Sequence, residues 1–244
     1  NYFFKYSAFT EKLSAFYETH PEFVIPDFRY NEIREFVKRG LQDFPISRLK
    51  TKMPWGIPVP GDEDHVMYVW FDALTNYIST LGWPNDMDTF GKYWEQGNPT
   101  QYCGKDNLRF QSAMWQAMLM AADLPNSHQI VINGFITADG GIRMSKTLGN
   151  VVDPRDIATE FGIDALRLFL AKEISNFEDS PFARERFIDA YNAHLANGLG
   201  NLTSRIMKMA VTNLEGPIST DEVSIPDEYV AFLDAYEISK AVQV

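Results

Sequence analysis

Arg143-Met144-Ser145-Lys146-Thr147 places two cations and two hydroxyls side by side, with Gly140 and Gly141 before them and Gly149 after. Glycine lets backbone approach a ligand closely and lets a loop move. Phosphoryl oxygens and a developing pyrophosphate are natural targets for such a set, because cations and hydroxyl donors stabilise charge as it develops. The spacing is not that of a P-loop, since G-x-x-x-x-G-K-S/T is absent. Taken alone, the same residues also describe a solvated surface turn.

Other positions add chemistry. In Gly104-Lys105-Asp106 the glycine allows close approach and the carboxylate can accept from ribose hydroxyls, or simply cap a helix. Asn201 and Arg205, four apart, share one helix face, with His194 and Gly198 along the same stripe. Arginine can stack on a base and asparagine can pair with one, although a solvated polar face has the same look. The single cysteine, Cys103, follows Tyr102 on an expected buried strand and reads as packing.

The elements that must hold these residues follow from periodicity. A first helix is expected over residues 9–17, and a second from Glu32, capped by Asn31 and ended by Gly40. The Pro- and Gly-rich stretch after Pro45 reads as a junction. "HVMYVWF" (65–71), "TQYCG" (100–104) and "SHQIVINGFIT" (127–137) read as strands. "DALTNYISTLG" and a longer helix carrying Leu108, Trp115 and Leu119 lie between them, the latter with Asp106 as a possible cap. The alternation predicts an α/β fold with a parallel sheet and sites at the strand C-terminal ends. Asp153 can cap a helix with Pro154 at its first position, and Asp164 can cap the next. From Ser180-Pro181 a long amphipathic helix carries Ile188, Tyr191, Leu195, Leu199, Leu202, Ile206 and Met209, and wants a partner bundle. Residues 213–226 read as a linker before a last helix.

Composition sets the class. The chain has 244 residues, 45% hydrophobic and 23% charged, as in globular proteins. Its 22 basic and 33 acidic residues give a formal net charge of −11, so nucleic acid must be met by a local face rather than by bulk charge. One cysteine excludes an internal disulfide or thiolate zinc site and fits a reducing, cytoplasmic location. No apolar run is long enough for a membrane span.

Together the segments resemble the methionyl-tRNA synthetase family of class I synthetases. "MSKTLGNVVDP" resembles its signature loop. "WGIPVPGDEDHVMYVWFDALTNYISTLG" resembles the stretch leading into its methionine pocket, and "YCGKDNLRFQSAMWQAMLMAADLP" its next strand and helix. "RFIDAYNAHLANGLGNLTSRIMKM" resembles the start of its anticodon-binding domain. The resemblance implies methionine-binding positions at Trp70, Ala73, Leu74, Tyr77, Phe110, Gln111 and Trp115; aromatic walls suit a polarizable thioether. Core packing is the competing reading of those rings. Gln111 stands where relatives usually have histidine; it can still bond a substrate or a neighbouring tyrosine hydroxyl, but cannot become a cation. The resemblance further implies ATP contacts at Gly104, Lys105, Asp106, Asn133, Gly134, Ser145 and Lys146, with Lys146 and Arg143 catalytic. Asn133 replaces a common histidine, and Arg143 replaces a lysine with a planar fork. Asn201 and Arg205 match anticodon contacts. Mg²⁺ would accompany the phosphates.

The implied fold is the second half of a split Rossmann-like catalytic domain, a doubly wound parallel sheet, followed by an α-helical segment. Its parts are residues 1–48 (end of a helical connective insert), 49–150 (second half of the nucleotide-binding domain), 151–180 (stem-contact segment) and 181–244 (start of the anticodon domain). The implied partners are methionine, ATP and methionine tRNA, with no membrane. The family's histidine-rich ATP signature and its amine-binding group belong to a first half that has no match here. The four histidines, His20, His65, His128 and His194, are too scattered to rebuild it. The chain, which opens on Asn1 rather than methionine, is therefore expected to be an inactive fragment of a methionine–tRNA ligase. A non-catalytic tRNA-binding or regulatory module derived from a synthetase is the alternative. "WFDALTNYIS" argues against the isoleucine, valine and leucine enzymes.

Overall fold

The computed structural model describes residues 1–217 and 224–244. The chain divides into two units, Asn1–Asn133 and Gly134–Val244.

The first unit contains, in order, β1 (Phe3–Phe4), α1 (Thr10–Thr19), β2 (Val24–Ile25), α2 (Asp27–Lys38), β3 (Phe44–Pro45), β4 (Ser47–Leu49), β5 (Pro58–Val59), β6 (Asp62–Met67), α3 (Val69–Ser79) and α4 (Met87–Phe90). Strand β7 (Thr100–Gly104) follows, then a 3-10 turn (Lys105–Asn107), a π-wound turn (Phe110–Met114), α5 (Trp115–Ala121) and β8 (Gln129–Asn133).

Strands β2, β8 and β7 form a parallel sheet in that spatial order, as the strand–helix alternation predicts. Its centre is β8, whose Ile130, Val131 and Ile132 are almost wholly buried. An unbroken apolar run suits a strand covered on both faces. Helices α1 and α2 pack over it through Leu13, Tyr17, Ile33 and Val37. Gly104 and Asn133 are register partners at the C-terminal ends of β7 and β8.

Three sequence expectations are corrected in this unit. Helix α2 begins at Asp27, behind an extended Pro26, so Asn31 lies inside it and caps nothing. Residues 65–71 are not one buried strand: β6 ends at Met67, and Trp70 and Phe71 lie in the first turn of α3. Strand β6 joins β4 and β5 in an antiparallel sheet instead. Its leading Asp62-Glu63-Asp64 could not enter a two-sided core, and only Val66 of the strand is buried. Asp106 sits within the 3-10 turn, while Gly104 occupies the position ahead of it.

The second unit contains β9 (Ile136–Thr137), α6 (Pro154–Phe161), α7 (Ile163–Glu173), β10 (Ser180–Pro181), α8 (Arg184–Ala190), α9 (Asn201–Asn213), α10 (Asp227–Asp234) and α11 (Ile238–Ala241). Strands β9 and β10 pair in parallel. Asp153 caps α6 as expected, accepting from the Arg155 amide at 2.8 Å. Ile157, Leu166, Phe169, Phe182 and Phe187 form the core.

Here too there are corrections. Gly162, at φ +92°, occupies the cap position of α7 and Asp164 falls in its first turn. That backbone angle favours glycine. Ser180-Pro181 is strand, because it pairs with β9, and the helix starts only at Arg184. From there α8, a π-wound stretch (Tyr191–Gly200) and α9 run on, with Leu199, Leu202, Ile206 and Met209 exposed. Part of the expected linker, residues 218–223, lies outside the described residues. The last expected helix is broken between α10 and α11 at Tyr236, whose φ is +59°. No helix among the described residues is long and apolar enough to cross a membrane.

Candidate active site

On α3, Trp70, Ala73, Leu74 and Tyr77 recur at three- and four-residue intervals and so share one face. That face meets the π-wound turn and α5. The Trp70 and Phe110 rings stack with centroids 4.1 Å apart and planes at 15°. Gln111 Nε2 donates to the Tyr77 hydroxyl at 2.8 Å. Tyr77 and Trp115 lie 6.0 Å apart, with Trp94 edge-on behind Trp115. Five of the seven methionine positions read from the sequence are thus linked directly. Leu74 and Trp115 are also full members of the core, 2% and 1% exposed, so the core-packing reading holds at those two positions.

The turn that carries Phe110 and Gln111 is wider than an α-helix. The Trp115 amide reaches back five residues to the Phe110 carbonyl. Such π turns free carbonyls that then need other donors. Two carbonyls of this turn do find side chains: Gln116 Nε2 donates to Gln111 (2.9 Å), and the buried Tyr17 hydroxyl to Ser112 (2.5 Å). Neither donor was foreseen from the sequence, and nothing in a helical pattern marks a π turn.

Lys105, Asp106 and Phe110 line a cavity of about 490 Å³ together with Glu32, Phe36 and Arg109. The expected ribose acceptor and one ring of the expected methionine pocket therefore line one space. Asp106 is exposed. Nearby, Asn133 Oδ1 at the end of β8 is buried and has no partner among the described residues. Cys103, one residue before Gly104, has its thiol pushed up to about 12, chiefly by burial and then by the charge of Asp106. A thiol held protonated in this way is inert, in line with a packing role.

Gly134 opens the second unit. A Cβ built there would come within 2.2 Å of the Glu178 carbonyl. Its lack of a side chain answers to that backbone contact.

The loop after β9 is ordered by a residue that sequence reasoning passed over. Asn150 Oδ1 accepts from the Ser145 amide at 2.8 Å, and its Nδ2 donates to the Arg143 carbonyl at 3.2 Å. Ser145 Oγ accepts from the Thr147 amide, and Gly149 closes the turn at φ +65°. The Gly149-Asn150 pair is a turn signal that could have pointed to this role. The Arg143 guanidinium lies over the Phe135 ring at 4.6 Å. The Lys146 side chain is exposed and has no ion-pair partner among the described residues.

Asn201 and Arg205 are both exposed on α9. His194 is not free: its Nε2 lies 2.9 Å from Glu173 Oε1. That contact first, and Arg186 as well, hold the Glu173 carboxyl below its usual range. Among the described residues no group of three or more His, Cys, Asp or Glu could hold a metal ion.

The family described as tRNA synthetases class I (M) matches residues 1–207. A methionine–tRNA ligase of Brucella suis is 46% identical over 218 residues, covering 89% of this chain and 41% of that protein. One from Rickettsia prowazekii is 39% identical, covering 100% of this chain and 50% of its own length. Among solved structures, Mycobacterium tuberculosis methionyl-tRNA synthetase in complex with methionyl-adenylate aligns at a TM-score of 0.86 with 38% identity, over 99% of this chain and 49% of that one. The chain thus spans between two fifths and one half of the length of these relatives.

Proposed function

The chain belongs to the class I methionyl-tRNA synthetases, and from that premise we propose that it contributes the methionine wall, a ribose contact and the phosphate loop of a methionine–tRNA ligase. The observation that carries the reading is the Trp70–Phe110 stack beside the Gln111–Tyr77 hydrogen bond, on the same turn that borders the Asp106 cavity. In this reading the thioether lies against the rings of Trp70, Tyr77 and Phe110, with Ala73 leaving room and Leu74 and Trp115 backing the wall. Asp106 accepts from the ATP ribose. Gly104 lets backbone run close to the nucleotide, Lys105 adds a cation, and the unpaired Asn133 Oδ1 offers an acceptor to the adenine amine.

The methionine carboxylate attacks the α-phosphorus of ATP, and the bond to pyrophosphate breaks. Lys146, with Arg143 and Ser145, meets the charge that develops on the leaving oxygens. Mg²⁺, when bound with the ATP phosphates, would supply neutralising charge there, held by the phosphates and by no residue assigned in this chain. A terminal ribose hydroxyl of methionine tRNA then attacks the adenylate carbonyl and AMP leaves, while Asn201 and Arg205 face the anticodon. Within this reading residues 1–48 would end the connective insert, 49–150 would form the second half of the nucleotide-binding domain, 151–180 would contact the stem and 181–244 would begin the anticodon domain, with the cytosol as the proposed location.

The test is a graft. The Rickettsia prowazekii ligase, with its aligned half replaced by this chain, is expected to keep methionine-dependent pyrophosphate exchange and to lose it on Lys146→Ala. A folded graft that binds tRNA yet never exchanges pyrophosphate would favour the non-catalytic module.

A further inference from the structure

Five residues beyond Gln111, the fully buried Gln116 closes a hydrogen-bond network that the proposed chemistry leaves unused. Its Nε2 donates to the Gln111 carbonyl at 2.9 Å and to Ser127 Oγ at 3.1 Å. Its Oε1 accepts from Asn126 Nδ2 at 3.0 Å and from the Ser127 amide at 3.1 Å. Ser127 Oγ in turn donates to Gln101 Oε1 on β7 at 2.8 Å. The chain of bonds therefore runs from the parallel sheet to the backbone of the residue whose side chain holds Tyr77.

A core position filled by a primary amide is costly unless its polar atoms are paired, and an apolar side chain of similar size would fill the space at less cost. Both ends of the Gln116 amide are used here. The acceptor that justifies it is the Gln111 carbonyl, which the π winding removes from the regular helical ladder. Its other three bonds tether the amide to the turn at Asn126 and Ser127, so the donor is held in place.

Resting on the methionine-site reading above, we infer that Gln116 is a positioning residue for methionine: it fixes the π-wound turn and, through Gln111, the direction of the Tyr77 hydroxyl. Gln116 touches no substrate. It acts by setting where Phe110 and Gln111 stand against α3. Asn126 anchors the amide and also donates to the Gln116 backbone carbonyl at 3.2 Å, but makes no bond to Gln111, so its removal leaves the Gln116–Gln111 bond in place.

The experiment compares Gln116→Met with Asn126→Ala in the full-length protein. Gln116→Met is expected to raise the methionine KM roughly three- to tenfold, the scale of one neutral hydrogen bond, and to leave the ATP KM within about twofold. Asn126→Ala is expected to lower the thermal midpoint comparably but to keep both KM values within about twofold. The Gln111 side-chain amide resonances, assigned by their loss in Gln111→Leu, are expected to move in Gln116→Met and to hold in Asn126→Ala. Should Gln116→Met not fold, Gln116→Glu keeps the two accepted bonds, loses the amide donor and carries the same expectations. An unmoved Gln111 resonance, an unchanged methionine KM in the folded variant, or an equal KM rise in Asn126→Ala overturns the inference. The resonances are read without substrate. A parent protein lacking methionine-dependent exchange would therefore sink the functional reading alone, while the positioning question is still decided.

Discussion

Gln111 and Tyr77 meet side chain to side chain at 2.8 Å, one from a π-wound turn and the other from α3, thirty-four residues apart in sequence. Gln111 is 4% exposed, and its Oε1 has no partner among the described residues. An unpaired buried acceptor costs about 1–3 kcal/mol, whereas the bond to Tyr77 contributes about 1 kcal/mol. Gln111→Met removes both at once. It is expected to leave unfolding free energy within about 1 kcal/mol of the parent while raising the methionine KM several-fold. Denaturant titration together with pyrophosphate exchange checks this, and a loss beyond about 3 kcal/mol would mean that Oε1 is paired after all.

Lys146 is exposed, so its removal touches no packing. Lys146→Ala is expected to keep the thermal midpoint and the methionine KM but to cut kcat for adenylate formation. The expected cost is about 2.7–4 kcal/mol of transition-state stabilisation, as for comparable preorganised donors. An unchanged kcat with a raised methionine KM would remove Lys146 from the phosphate role.

Asn150 bonds the backbone of both Arg143 and Ser145. Asn150→Ala is expected to loosen the loop by about 1–2 kcal/mol, two modest hydrogen bonds. Hydrogen exchange at the Ser145 amide should quicken correspondingly, and the ATP KM should rise while the methionine KM holds. Protection that survives the substitution would show that the loop is ordered by other contacts.

Asp153 has its carboxyl lowered to about 2, first by the side-chain hydrogen bond from Arg155 and then by the Arg155 amide. A depressed carboxyl contributes stability that is fully present above its unfolded value, near 4, and is lost as pH falls through the folded one. Asp153→Ala is therefore expected to lower the thermal midpoint at pH 7 and to converge on the parent as pH drops from about 4 toward 2. Thermal melts across that window decide it; a gap that persists undiminished at pH 2 would assign the effect to something other than the ionised cap.

The sheet was legible wherever apolar residues run without interruption. Ile130-Val131-Ile132 announces a central strand, and Asp153-Pro154 announces a helix start. The failures share a cause, which is tertiary context overriding a local signal. "HVMYVWF" reads as one strand, yet the acidic residues before it keep β6 out of a two-sided core, as the middle strand of a small antiparallel sheet, and Tyr68 turns the chain into α3. Ser180-Pro181 reads as a helix start, yet pairing with β9 claims it. For the site, residue types at family-like spacing pointed to Trp70, Tyr77, Phe110 and Gln111, which do come together. Gln116 and Asn150 escaped notice because their work is done on backbone atoms, and a sequence gives no sign of which carbonyls a π turn or a loop leaves unpaired.

Gly134 carries a consequence for mutational tolerance. Any side chain at this position meets the Glu178 backbone at 2.2 Å before it could meet a nucleotide. Backbone cannot swing aside as a flexible side chain would, so a saturation library should return glycine alone at 134, even under selection for abundance with no ligase activity required. Gly140 and Gly141, with open space where a Cβ would stand, face only the cost of their positive φ angles, +72° and +75°. Asparagine and aspartate tolerate that region better than other residues, so the same library should admit them at 140 and 141. The contrast would separate a glycine kept for folding from glycines kept for the freedom of a loop.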